Sequence, residues 1–114
     1  MPYLSLHTNL ELDTDTTRKA LKSLSQGVAA ALGKSENYVM IAIEPSKSML
    51  FAGSDGPSAY CEMKSLGLLE DKTSEFSSTV CRLVNDALGI DPARIYIEFA
   101  APARHMWGWN NKTF

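Results

Sequence analysis

Apolar positions change period several times along the chain, and each change marks an element. Residues 3–7 alternate, with Leu4 and Leu6 on one side and Tyr3, Ser5 and His7 on the other, which predicts a half-buried strand. Residues 9–15 are polar and turn-like, and Asp13 or Asp15 is placed to cap a helix behind them. Over residues 16–32 the spacing becomes helical, with Leu21, Leu24, Val28 and Leu32 on one face and Gly33 as the stop. Residues 38–44 alternate again, their apolar row is the β-branched set Val39, Ile41 and Ile43, and Pro45 ends the strand. Gly53, Asp55, Gly56 and Pro57 make residues 51–57 a loop. Residues 58–64 read as a weaker strand, 66–72 as a loop, and 73–88 as a second helix. That helix carries Phe76, Val80, Leu83 or Val84, and Ala87 or Leu88 on one face, and Gly89 caps it. Residues 94–100 form the last predicted strand, with Ile95, Ile97 and Phe99 in a row. The tail, 101–114, holds both tryptophans and no regular period.

The pattern repeats. Sliding the chain by 56 residues lays Ala31-Leu32-Gly33 on Ala87-Leu88-Gly89 and the Val39, Ile41, Ile43 row on Ile95, Ile97, Phe99. The stretch beginning at Pro2 falls on the stretch beginning at Ser58. The expected fold is therefore α/β (α+β): one domain over residues 1–114 with βαβ units at about 2–50 and 58–100. Its four strands form one mixed sheet, with both helices on one face. The other face would carry Tyr3, Ser5, His7, Tyr38, Met40, Ala42, Ser58, Tyr60, Glu62, Tyr96, Glu98 and Ala100. Sheets with parallel pairs are seldom left open to water, so this face and the sheet edges are expected to meet other copies in a homo-oligomer.

Composition narrows the function. With 114 residues, 45% hydrophobic, the chain can bury one core, but it has no room for a dinucleotide-binding domain beside a substrate domain. Its 11 Lys and Arg residues are scattered and the net charge is −2, which excludes a nucleic-acid footprint. No apolar run approaches the roughly 20 residues of a membrane span. The N-terminus lacks the basic and apolar regions of a secretion signal, so a cytoplasmic protein is expected. Cys61 and Cys81 are too few for a disulfide scaffold and read as reduced thiols, with Cys81 packing in the core. Neither they nor His7 and His105 have metal-ligand spacing, so no metal or other cofactor is expected. Gly33-Lys34-Ser35 ends like a phosphate loop, but Val28 stands where the first glycine is needed, and the loop follows a helix instead of preceding one. No nucleophile-elbow motif supports a Ser-His-Asp hydrolase.

Pro2 is the most informative residue. Once Met1 is removed, the chain begins with a ring-held secondary amine at the end of a strand. An ordinary α-amine titrates at about 7.7–8.0. Burial, or a cation such as Lys34, disfavours its charged form and leaves a neutral amine able to act as a general base.

These residues and several short runs resemble the macrophage migration inhibitory factor family of the tautomerase superfamily. The matching segments are Met1-Pro2 before a strand, Thr8-Asn9, Leu32-Gly33-Lys34 with Tyr38 following, and Met49-Leu50-Phe51-Ala52-Gly53-Ser54. They continue with Ser65-Leu66-Gly67, Arg94-Ile95-Tyr96-Ile97, and Gly108-Trp109-Asn110-Asn111-Lys112-Thr113-Phe114. The resemblance spans essentially the whole chain, and the C-terminal run favours this branch over the D-dopachrome tautomerase branch.

The resemblance implies a duplicated βαβ monomer in a homotrimer, with sites at subunit boundaries. It implies Pro2 as the base of a keto–enol tautomerase acting on aromatic keto acids of the phenylpyruvate type. Lys34 would bind the substrate carboxylate or the enolate oxygen, although a lysine there also suits the end of a helix dipole. The Leu66 N–H, beside Ser65, would donate to a substrate oxygen. Tyr38, Tyr96 and Glu98 would come from a neighbouring subunit, and Trp107, Trp109 and Phe114 would wall the aromatic ring. The alternative implication is a cytokine-like trimer that binds a receptor or other partner, its tautomerase activity vestigial. Two departures stand out. Glu98 replaces a common Asn, and its carboxylate would oppose an acidic substrate. Ser58 replaces the first cysteine of the family's Cys-x-x-Cys, so the thiol-disulfide activity attributed to that pair is not expected.

Overall fold

In the computed structural model, which describes residues 1–114, the alternating N-terminal segment forms β1 (Tyr3–Thr8), with Leu4 and Leu6 fully buried. Asp13 caps α1 (Thr14–Leu32) by accepting from the Thr16 N–H at 2.7 Å, and that bond holds its carboxyl below the usual range. The helix thus starts two residues before its predicted span. Gly33 ends it with φ 62, a left-handed conformation that lets the Lys34 N–H turn back to the Ala29 carbonyl at 3.0 Å. The buried stripe runs through Ala20, Leu24 and Val28, and the expected Leu21 lies half-buried beside it. The second helix, α2 (Thr73–Leu88), occupies its predicted span and buries Phe76, Val80, Leu83 and Val84. The helices meet at Gly27, where a Cβ would fall 2.5 Å from Leu83 Cδ2, so a side chain there would push α2 away.

The remaining strands of the main sheet are β2 (Met40–Glu44), β3 (Ala59–Lys64) and β4 (Ile95–Ala100). The sheet order is β2-β1-β3-β4, with two parallel outer pairs around a central antiparallel pair that sets Tyr3 opposite Lys64 and Leu6 opposite Cys61. The 56-residue repeat holds: β1 falls on β3 residue for residue, and the 3-10 turn Glu36–Tyr38 falls on the turn Pro92–Arg94. Those turns correct the predicted starts of the second and fourth strands. The Ser35 hydroxyl accepts from the Asn37 N–H, and the Asp91 carboxylate from the Ala93 N–H, so the chain winds once before it extends. Tyr38 consequently sits on a turn and not on the sheet. Ser58 precedes β3 and is fully buried, so it is not on the open face either.

That open face carries Met40, Ala42 and Glu44 of β2, Tyr3, Ser5 and His7 of β1, Tyr60, Glu62 and Lys64 of β3, and Tyr96 and Glu98 of β4. Polar contacts cross it: His7 Nε2 lies 3.0 Å from Glu44, Lys64 Nζ lies 3.3 Å from Glu62, and the Tyr60 hydroxyl donates to Glu98 at 2.7 Å. At the β4 edge, Arg94 donates to the carbonyls of Phe51, Ser54, Gly56 and Pro57 and lies over the Phe51 ring, fixing the loop before β3. The tail, which has no period, folds into a 3-10 turn (Arg104–Met106) and a hairpin of β5 (Gly108–Trp109) and β6 (Lys112–Thr113). No helix is long and apolar enough to cross a membrane.

Two measurements follow from this packing. Ser58 Oγ is buried without a hydrogen-bond partner, while the residue's N–H donates to Asn9 and its carbonyl accepts from Thr8. Ser58→Ala removes only the unpaired group and is expected to stabilise the fold by about 1 kcal/mol, read as a higher urea midpoint at fixed protein concentration. On the open face, donation to Glu98 is the main reason the Tyr60 phenol is pushed up from 10.0 to about 12. The bond therefore stabilises the fold below pH 10, and that contribution is lost as pH rises through about 12. Ultraviolet titration should show one late phenol that Tyr60→Phe removes and Glu98→Gln returns toward the ordinary range.

Candidate active site

Strand pairing brings four chain segments to one end of the sheet. Tyr3 stands beside Met40 and Lys64, and Lys64 stands beside Ala100. The start of β1, the residues entering β2, those leaving β3 and those leaving β4 therefore meet. They enclose two adjoining cavities of about 350 Å³ each, which share Met1 and Tyr38.

The first cavity is mainly apolar, with Pro2, Tyr38, Met40, Trp107 and Trp109 in its wall. The Pro2 ring is buried, and its carbonyl accepts from the Met40 N–H at 3.0 Å, which ties the beginning of β1 to β2. Trp109 meets Tyr38 edge-on at 6.1 Å and stacks on Phe114 at 5.9 Å. The Phe114 N–H donates to the Trp107 carbonyl and closes the hairpin onto the cleft.

The second cavity carries Lys34, Leu66, Gly67, Arg104 and Phe114. Neither cavity has an acidic residue in its wall. The ion pairs of the chain lie elsewhere, so Lys34 and Arg104 have no carboxylate partner. The Met1 amine is held below the ordinary α-amine range, first by burial, then by Lys34, then by Arg104. The Leu66 N–H has no backbone acceptor and is free to donate. With Met1 in place the Pro2 nitrogen is a tertiary amide without a basic lone pair. Loss of Met1 exposes a secondary amine at the head of β1, in the wall of the first cavity and next to the cavity that holds the two cations.

Of the residues singled out in the sequence, this cleft gathers Pro2, Lys34, Leu66, Tyr38, Trp107, Trp109 and Phe114. Tyr38 lines the cleft of its own chain, where the turn before β2 carries it to Met1 and Pro2. Ser65 is buried, its hydroxyl donates to the Leu66 carbonyl at 3.2 Å, and it lines a depression on the helix side that shares Lys34, Leu66 and Gly67 with the second cavity. Tyr96 and Glu98 lie on β4, at the opposite edge of the sheet from β2. Arg104 escaped sequence reasoning, since a lone cation in an aperiodic tail has no signal of its own. Cys61 is buried and its thiol is pushed up to about 12, chiefly by burial, which disfavours the reactive thiolate. No cluster of three or more His, Cys, Asp or Glu side chains forms that could hold a metal ion.

The sequence profile described as macrophage migration inhibitory factor (MIF) matches residues 1–114. A macrophage migration inhibitory factor homolog of Brugia malayi is 36% identical over 115 aligned residues, covering 100% of this chain and 99% of the relative. The macrophage migration inhibitory factor of Mus musculus is 31% identical with the same coverage. Among solved structures, the Prochlorococcus marinus homologue superposes with a TM-score of 0.91 at 36% identity, covering 98% of each chain. The Trichinella spiralis protein gives 0.91 at 31% identity, covering 98% of this chain and 99% of that one. Matched from end to end in both sequence and fold, the chain belongs to the macrophage migration inhibitory factor family.

Proposed function

We propose that the protein is a keto–enol tautomerase of aromatic α-keto acids of the phenylpyruvate type, with the Pro2 amine, freed by loss of Met1, as general base. The setting of the N-terminal amine carries this reading. With Met1 present, its own amine is depressed by burial and by Lys34 and Arg104, in a cleft with an aromatic wall and no Asp or Glu side chain, and the Pro2 amine takes over that end of the chain once Met1 is lost. An amine that is neutral near pH 7 can accept a proton, and positioned general bases contribute about 10²–10⁴-fold to rate. The fold, shared with the tautomerase superfamily, supports it.

The substrate ring lies against Tyr38, Trp109 and Phe114, and its oxygens face Lys34 and the Leu66 N–H. Pro2 nitrogen takes a proton from the carbon beside the carbonyl. The C–H electron pair becomes the C=C bond, and the carbonyl pair moves to oxygen, where Lys34 stabilises the developing charge. Returning the proton to that oxygen gives the enol, and the reverse path regenerates the keto acid.

Tyr96 and Glu98 join the site from a second copy. The cleft adjoins the β2 edge, whereas these residues sit at the β4 edge, with Tyr96 66% and Met40 65% exposed. The chain exposes 6820 Å², above the roughly 6,200 Å² of a monomer of its mass. Contact between one copy's β4 edge and the next copy's β2 edge is head-to-tail and closes as a ring, here a homotrimer. Glu98 then faces the substrate carboxylate unless Lys34 compensates, so turnover of acidic substrates is weak and Glu98→Asn raises it.

Mass spectrometry should find proline at the N-terminus of the active protein. In a phenylpyruvate assay, Pro2→Gly and Met1-retained protein should lose about 10²-fold or more of the processed enzyme's rate. Equal rates in all three would sink the proposal. Activity should rise with pH as the amine deprotonates, with a midpoint below the ordinary α-amine range, and Lys34→Met should move that midpoint up. Sedimentation should give three protomer masses. The names of the mouse and gerbil relatives favour a second reading, a cytokine-like binding protein. It predicts that Pro2→Gly leaves partner binding intact.

A further inference from the structure

Two cations line the cavity that adjoins the one holding the proposed base, and the reaction as written occupies only one of them. Lys34 leaves the end of α1 through the Gly33 turn. Arg104 opens the 3-10 turn that follows β4. They line the same cavity, whose wall also holds Leu66 and Phe114. Neither has a carboxylate partner in the chain, and no acid lines the cavity.

The charge of the reacting molecule matches this pair. A keto acid enters with one negative charge on its carboxylate. As the carbon proton passes to Pro2 nitrogen, a second negative charge forms on the neighbouring oxygen, so the intermediate is a dianion. An ammonium is a compact point charge suited to an oxyanion, whereas a guanidinium presents a planar fork that fits a carboxylate through two parallel hydrogen bonds. We propose that Arg104 anchors the substrate carboxylate, leaving Lys34 to the oxygen on which the enolate charge develops. This deepens the tautomerase reading and rests on it for the substrate. It assigns Arg104 a binding role that nothing in the linear motifs marks. The aromatic hairpin that follows Arg104 in the chain then receives the ring of the molecule whose acid end Arg104 holds. Both cations lower the Met1 amine, which lines the same cavity.

The test separates anchoring from catalysis. Benzoylformate is an aromatic keto acid with no enolisable carbon, and its methyl ester is the neutral counterpart. Binding of each to processed protein is followed by tryptophan fluorescence, since Trp109 stands in the cleft wall. Arg104→Gln should weaken benzoylformate about tenfold or more, the worth of a charge-assisted hydrogen bond, and leave the ester within about twofold. Arg104→Lys should fall between. With phenylpyruvate, Arg104→Gln should raise KM and shift the pH midpoint upward, whereas Lys34→Met should chiefly lower kcat.

Equal weakening of acid and ester would overturn the assignment by showing that Arg104 only holds the tail in shape. Failure of the wild type to bind benzoylformate would overturn it too. So would loss of the Arg104 effect in a Glu98→Gln background, because Arg104 would then be neutralising a neighbour's carboxylate. If the wild type binds benzoylformate with Arg104-dependent selectivity but does not turn over phenylpyruvate, the anchor stands and the base reading alone fails.

Discussion

The antiparallel pairing of β1 with β3 is the constraint on which the rest of the molecule depends. Each half of the chain is a parallel pair with a crossover helix, and a parallel pair puts both of its strand starts at one end. Joining the halves antiparallel turns the second unit over, so the ends of β3 and β4 arrive where β1 and β2 begin. Residue 2, the turn at 34–38, the bend at 65–67 and the whole tail are therefore neighbours. A parallel junction would have scattered them to opposite ends. The same pairing sets both helices on one face, where α1 and α2 touch at Gly27, and leaves the other face with its tyrosines and carboxylates.

Electrostatics at the cleft is local and opposes the balance of the whole chain. The net charge is −2, yet the cavity beside the N-terminus holds two cations and no acid. Several carboxylates have engagements elsewhere, among them Asp13 at the start of α1, and Glu44 with His7 and Lys47. A protonated amine beside Lys34 and Arg104 pays for both repulsions, whereas a dianionic enolate gains from both attractions. In the proposed reaction, one arrangement of charge therefore favours both the neutral form of the base and the enolate intermediate. That coincidence is what makes the cleft more than an apolar gap under a hairpin.

Much of this was legible in the sequence wherever burial is periodic. The residues of β1 and β3, the span of α2, both glycine stops and the repeat follow from alternation, helical spacing and offset alone. The two 3-10 turns were missed because an apolar alternation begun at Tyr38 or Arg94 looks continuous. The competing signals, Ser35 two residues before Asn37 and Asp91-Pro92, act through single side chain to backbone bonds. The hairpin in the tail had its signal in Asn110-Asn111, whose φ values of 51 and 65 belong to a tight hairpin turn, but its strands are only two residues long. Within the site, Pro2, Lys34 and the aromatic wall were recognisable by motif. The inward turn of Ser65, the placement of Tyr38 on its own chain and the arrival of Arg104 depend on where β3 and β4 end in space, which no local pattern encodes.

The division between core and cleft decides how substitutions there should be read. Leu4, Leu6, Leu24, Val28, Met63, Val84 and Ile90 are fully or nearly fully buried within one chain, so the fold's main apolar contribution is complete without the cleft. Lys34 and Arg104 are exposed and bonded to no protein partner, and exposed changes away from caps and buried networks usually move stability by no more than about 0.5 kcal/mol. Pro2 is the exception, because its ring is buried and its carbonyl ties β1 to β2. A proline costs the sheet no ladder bond at a strand's start, since it has no N–H to give. The residue proposed as base is thus also part of the framework, and a loss of activity on changing it has to be separated from a loosened strand. Retaining Met1 does that: it leaves the Pro2 ring and carbonyl where they are and removes the basic lone pair, while adding the Met1 side chain to the wall of both cavities.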